Sequence, residues 1–219
     1  MECMERGRWT GTGTVDRRND LGAALDNLGE VAASTGLRLN PEGRDQLRKW
    51  AGLVVEWRSA ARLTAVASAS EVVRALMIPA LYALPLLQLK PDMTIVDVGC
   101  GSGSTGAALA VVARKGEWLL VDRAEKKVTF CRYATGECRM GNVRVLSLAE
   151  YLRSGRRADV VLARGLPKGR RTFATIRAAA SPRATVVQWV TGGEPSGGSV
   201  ARCGALELWV VATDIACFT

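Results

Sequence analysis

The chain has 219 residues, 48% of them hydrophobic, and a formal charge of +9 at pH 7. That length suits one domain with a small extension, and the apolar share can fill its core, which excludes a wholly disordered chain. The excess of Lys and Arg calls for an anionic partner, nucleic acid first, unless it is only an arginine-rich surface.

Residues 1–20 combine Gly, Thr and charged side chains with no apolar leader stretch, and read as a flexible tail. A helical extension is expected over residues 21–90. Leu21 to Val31 carries a weak helical pattern, and Asn40 followed by Pro41 predicts a cap and first helical position. Leu47, Trp50, Val54 and Trp57 then recur at three- and four-residue steps, which predicts an apolar helical stripe packed in the core. Ser68 and Glu71 have capping-box spacing ahead of a helix through Met77. The apolar run ALMIPALYALPLLQL is about 15 residues, interrupted by Pro79 and Pro85. A bilayer span needs about 20 apolar residues, so a soluble, cytoplasmic chain with no membrane partner is expected.

Beyond Lys90-Pro91-Asp92 the pattern alternates. Strands are predicted at Thr94–Val98, Trp118–Val121, Val143–Leu146, Asp159–Ala163 and Thr185–Val190. Helices are predicted near Ser104–Ala113, Glu125–Cys138, Ala149–Arg153 and Lys168–Ala180, with a loop and one or two strands in the tail. Such alternation predicts an α/β fold: a doubly wound, Rossmann-like parallel sheet with helices on both faces.

The run IVDVGCGSGSTGAALA, residues 95–110, reads as a strand turning through a glycine loop into a helix. Its Gly101-Ser102-Gly103-Ser104-Thr105-Gly106 has phosphate-loop glycine spacing, but Ala107 stands where a triphosphate site needs lysine. Asp122 closes WLLVD, where its carboxylate can accept the ribose hydroxyls of either NAD or S-adenosylmethionine. Asp97 separates the two. An acid so near the loop suits the cationic methionine end of S-adenosylmethionine and opposes a pyrophosphate. The chain also has no histidine and no Tyr-Lys pair for hydride-transfer chemistry. The expected cofactor is S-adenosylmethionine.

Six cysteines (Cys3, Cys100, Cys131, Cys138, Cys203, Cys217) show no CxxC pair and no metal-ligand spacing, so no metal is expected. Cys100 lies among loop N–H groups that favour a thiolate, although packing is the plainer reading.

At this point the chain resembles a family: the bacterial 16S ribosomal RNA guanine-N7 methyltransferases, also called the glucose-inhibited division protein B family. The resemblance runs from about Leu53 to Leu166 through EWRSAARLTAV, EVVRALMIPAL, the glycine loop, LLVDRAEKKVTFCR, LAEYL and ADVVLARGL. It implies a class I methyltransferase sheet over residues 91–219 that binds S-adenosylmethionine. Gly99, Gly101 and Gly103 would pass close to the cofactor, with Ser104 at the helix start, and Asp122 would hold the ribose. Ala149 and Glu150 match the pair beside the adenine, and Arg164 matches the arginine facing the active-site cleft, a catalytic and cofactor-side position. The implied partner is ribosomal RNA or the small ribosomal subunit, met by a monomer. Arg62, Ala75, Thr105 and Leu148 replace the family's Asn, His, Pro and Arg, several of them on the substrate side. Two other readings stay open: a methyltransferase turned to a small-molecule substrate, and a non-catalytic RNA-binding homologue.

Basic residues between Arg123 and Arg171, among them Lys126, Lys127, Arg156, Arg157, Arg170 and Arg171, are the expected RNA-facing charges.

Overall fold

The computed structural model describes residues 12–166, 169–191, 199–202 and 208–215. Helix α1 is Thr12–Ser34, and α2 is Pro41–Trp57. The first helix therefore begins ahead of Leu21, and residues 12–20 belong to it. The sequence over 12–20 holds few apolar residues, so an apolar period cannot mark the start of the helix there. Residues 1–11 of the expected tail lie outside the described residues.

Asn40 caps α2, accepting the Gly43 N–H at 2.8 Å, with Pro41 at the first turn. Such a cap contributes about 1 kcal/mol. Leu47, Trp50 and Val54 are buried as the stripe predicts, and Trp57 is half-buried. Ser68 and Glu71 form the expected capping box on α3, Ala69–Val72. A π-helical turn, Val73–Met77, follows, then α4, Ile78–Leu81, and α5, Leu84–Leu87.

The stretch Ala69–Leu87 spans 19 residues, helical but for a turn at Tyr82 and Ala83, with mean hydropathy 1.4, long and apolar enough by composition to cross a membrane. Pro79 leaves the run continuous, whereas Tyr82 and Ala83 form their turn just ahead of Pro85. Each proline stands in the first turn of a new segment, where a missing N–H goes unused. In the fold 61% of that window is buried, packed on α1 and on the first helix of the sheet domain.

The strands are β1 Thr94–Val98, β2 Glu117–Asp122, β3 Val143–Ser147, β4 Ala158–Ala163, β5 Ala180–Thr191, β6 Ser199–Arg202 and β7 Leu208–Asp214. Between them run α6 Ser104–Ala113, α7 Glu125–Glu137, α8 Leu148–Arg153 and α9 Arg170–Ala179. The sheet order is β3-β2-β1-β4-β5-β7-β6. Strands β1 to β5 are parallel, and β7 and β6 add antiparallel to the β5 edge. The doubly wound sheet is as expected. Strand β5 starts earlier than predicted because Ala180 pairs with Ala158 before a register shift brings Thr185 opposite Val160.

Two cores cover the two faces. One joins α1, α2 and the π turn to α6 and α7, from Leu25 and Trp50 through Leu109 to Phe130. The other packs Tyr151 of α8 and Ile176 of α9 against Val96, Leu119 and Val161. Helix α6 is buried along its whole length, held between the sheet and the N-terminal helices.

Candidate active site

The carboxyl ends of β1, β2 and β4 open into a cavity of about 570 Å³. It lies at the switch point of the sheet, where β1 separates β2 from β4 and successive helices diverge to opposite faces. Val98, Gly99, Val121 and Asp122 form its floor, and Leu148, Gly165 and Leu166 close it from α8 and the turn after β4. Arg123 and Lys127 border it on the α7 side; Arg171, Thr172 and Thr175 border it on the α9 side. The volume is within the range of small-molecule sites.

The glycine loop is tied to β2. Gly99 and Cys100 donate their N–H groups to the Val121 carbonyl at 2.7 and 3.1 Å. Gly101 N–H donates to Asp122 Oδ2 at 3.0 Å, and Ala124 N–H donates to Oδ1 at 2.9 Å. Each carboxylate oxygen keeps acceptor capacity toward the cavity, since a carboxylate offers about four lone-pair sites. Gly99 has φ +71°, and a Cβ there would lie 2.3 Å from Leu166 Cδ2. The loop accepts Leu166 over it because no side chain intervenes.

Asp97 sits behind the loop rather than on the cavity wall. It is 2% exposed, and its Oδ2 accepts the Gly106 N–H at 3.1 Å from the first turn of α6. Burial pushes its carboxyl up to about 7, against the opposing pull of the Gly106 N–H and the Arg164 guanidinium. Close approach explains Gly106: a Cβ there would meet Leu120 Cδ2 at 2.4 Å.

Gly103 takes φ +67° ahead of α6, and Ser104 is buried with its hydroxyl 2.9 Å from that of Ser102. Trp50 Nε1 donates to the Ser102 carbonyl at 3.1 Å, so α2 braces the loop from below. Cys100 is buried beside Cys131. Its contact with the Cys131 thiol and its burial push the thiol well up.

Ala149 and Glu150 lie in the first turn of α8, next to the cavity-lining Leu148 but outside the lining themselves. Glu150 closes a capping box with Ser147 and pairs with Arg132 at 2.7 Å. Hydrogen bonds from Ser147, backbone first, hold its carboxyl below the ordinary value.

Arg164 also stands apart from the cavity lining. Its Nη1 donates to the Leu76 carbonyl at 2.6 Å and to Thr105 Oγ1 at 3.3 Å, and its Nη2 donates to the Ala75 carbonyl at 2.7 Å. The guanidinium lies 5.9 Å from the Trp189 ring centroid. It clasps the π turn to the end of β4.

Gly99 and Asp122 are thus the expected residues that meet at the cavity, with Gly101 joined to Asp122. Leu166, Thr172 and Thr175 were not foreseen. They reach the site from beyond β4 by long-range packing, and the sole local signal near them was the Arg170-Arg171 pair.

A profile of the family described as rRNA small subunit methyltransferase G matches residues 44–189. The chain belongs to that family. Its relatives include ribosomal RNA small subunit methyltransferase G of Dichelobacter nodosus, 30% identical over 149 residues, or 68% of this chain and 70% of that protein. The protein of the same name from Klebsiella pneumoniae subsp. pneumoniae is 29% identical over 54% of this chain and 56% of its own length. The fold is shared with a mutant of MtNAS in complex with S-adenosylmethionine, at TM-score 0.54 and 16% identity over 90% of this chain and 95% of that one.

As an rRNA small subunit methyltransferase G family member, the chain takes S-adenosylmethionine as its cofactor. The residues at the cavity fit the nucleoside half of that molecule. Asp122 offers carboxylate oxygens for a vicinal diol, Val121 and Leu148 offer apolar surface for a purine, and Gly99 leaves the backbone bare.

Proposed function

We propose that the chain transfers the methyl group of S-adenosylmethionine to a guanine N7 of small-subunit ribosomal RNA, in the cytoplasm. The observation that supports this most is the placement of Asp122 and Gly99 in one cavity at the sheet switch point, inside the span matched by the family profile.

Bound S-adenosylmethionine supplies an electrophilic methyl on a sulfonium centre. Guanine N7 has an in-plane lone pair and no proton, so the protein is not asked for a general base, and a histidine-free chain can serve. What remains is orientation and exclusion of water, which can contribute about 7–11 kcal/mol in well-aligned systems. Asp122 holds the ribose end, anchored by Gly101 and Ala124. Leu148 and Leu166 keep the walls dry. In this reading Arg164 is a positioning residue: it holds the π turn, where Ala75 takes the place of the family's histidine, against β4.

Incubation with methyl-labelled S-adenosylmethionine and protein-free small-subunit RNA or whole subunits tests the proposal. N7-methylguanine is revealed by strand scission with aniline after borohydride reduction. Label in RNA with scission at a guanine, lost together with cofactor binding in Asp122→Ala, is the expected result. Cofactor binding with no label in any RNA would redirect the reading to a small-molecule substrate, and RNA binding without cofactor binding to a non-catalytic homologue.

A further inference from the structure

The cavity carries a charge that its cofactor does not explain. Arg123, Lys127 and Arg171 line it, and Asp122 is the only acid among its lining residues. S-adenosylmethionine bears a net positive charge, from a sulfonium and an ammonium against one carboxylate. Three cations around a cationic ligand repel it and one another, so the wall must be matched to a second, anionic occupant.

The disposition of the other ion pairs sharpens this. Arg44, Arg74, Arg114, Arg132, Arg144 and Arg156 each have an acidic partner. Among the described residues, the side chains of Arg123, Lys127 and Arg171 have no ion pair or hydrogen bond; neighbours such as Lys126 and Arg170 share that state, but these three are the cations that line the cavity. Arg123 and Arg171 are exposed and Lys127 is half-buried, so an incoming chain can reach all three. Arg123 and Lys127 come from the β2–α7 side and Arg171 from the α9 side, so the cations flank the mouth across the switch point.

We infer that Arg123, Lys127 and Arg171 form a phosphate clamp that grips the backbone of the nucleic-acid strand delivering the target base. The inference rests on the RNA reading above and assigns the residues that would position the substrate. Its shared chemistry is a phosphate group, and the occupant to which it commits is the phosphodiester of an RNA strand rather than a free nucleotide. Phosphate contacts of this kind fix register and carry no base identity. Each lost contact therefore weakens binding to all sequences alike and flattens the salt dependence.

The experiment uses the full chain saturated with S-adenosylhomocysteine, so that no transfer occurs. Affinity for a guanine-containing single-stranded RNA, and for guanosine monophosphate, is measured across a salt series. The proteins are wild type, Arg123→Ala, Lys127→Ala, Arg171→Ala and, as a control of equal charge, Arg153→Ala on the exposed end of α8. Each cavity variant should lose RNA affinity several-fold and reduce the logarithmic salt slope by about one. Arg153→Ala should bind RNA as wild type does, with every protein held saturated with S-adenosylhomocysteine. RNA binding by wild type with slopes unmoved in the three variants, or moved equally in the control, would overturn the clamp alone. Variants that weaken guanosine monophosphate and leave RNA unchanged would also overturn it and assign the cations to a mononucleotide. A wild type that binds the cofactor product but neither RNA nor nucleotide overturns the clamp and the RNA reading together.

Discussion

Arg164 donates to the carbonyl oxygen of Leu76 at 2.6 Å, and the same guanidinium reaches the Ala75 carbonyl at 2.7 Å. One planar fork thus meets two carbonyls of a π-helical turn. Hydrogen bonds to a charged donor are worth about 1.5–3 kcal/mol. Arg164→Ala should therefore lower stability by about 2–3 kcal/mol, and Arg164→Lys, with one ammonium in place of the fork, should recover only part of it. Chemical denaturation of the three proteins measures this. An Arg164→Ala midpoint equal to wild type would remove the clasp from the account.

Asp97 predicts a pH dependence. Its folded value near 7 lies above the ordinary 3.8, so the folded state holds this proton more tightly than the unfolded chain does. The resulting stabilisation is complete below about pH 4 and is lost as pH rises through about 7. The displacement from 3.8 to about 7 is worth on the order of 4 kcal/mol. Asp97→Asn keeps an oxygen for the Gly106 N–H and removes the titration. Wild type should lose stability relative to Asp97→Asn as pH rises from about 4 to about 7, with little further change above that, read by urea denaturation at each pH. Parallel curves for the two proteins would contradict the assignment.

Gly99→Ala combines two costs of different origin. A side chain at φ +71° is strained by about 1–2 kcal/mol, and its Cβ would displace Leu166 from the cavity roof. The single variant should melt lower and bind S-adenosylmethionine more weakly. Adding Leu166→Ala relieves the contact and leaves the backbone strain, so the double variant should lie closer to Leu166→Ala than additive losses place it. Strict additivity in thermal unfolding would show that the two residues do not touch.

The sheet was legible from Thr94 to Ala163 because each strand is a short apolar run ended by a turn or an acid, and each helix between them starts from a distinct signal. The glycine loop and Asp122 were legible for the same reason: their chemistry is local, a strand end and the residues that follow it. Arg164 was legible as a residue with a task but not in its partners, since Ala75 and Leu76 lie far away along the chain and offer only backbone oxygens. Leu166 over Gly99 was hidden likewise, as a contact across the sheet leaves no period or spacing. The early start of α1 was missed because the sequence of its first turns offers few apolar residues from which a period could be read.

Trp50 and α6 together determine where the molecule can breathe. Every residue of α6 is buried, and the loop at its head is braced by the indole of α2. Amide protons of α6 should therefore exchange only through global opening, whereas those of β6, at the sheet edge, exchange through local fraying. The cofactor loop thus rides on a helix expected to open only with the fold as a whole.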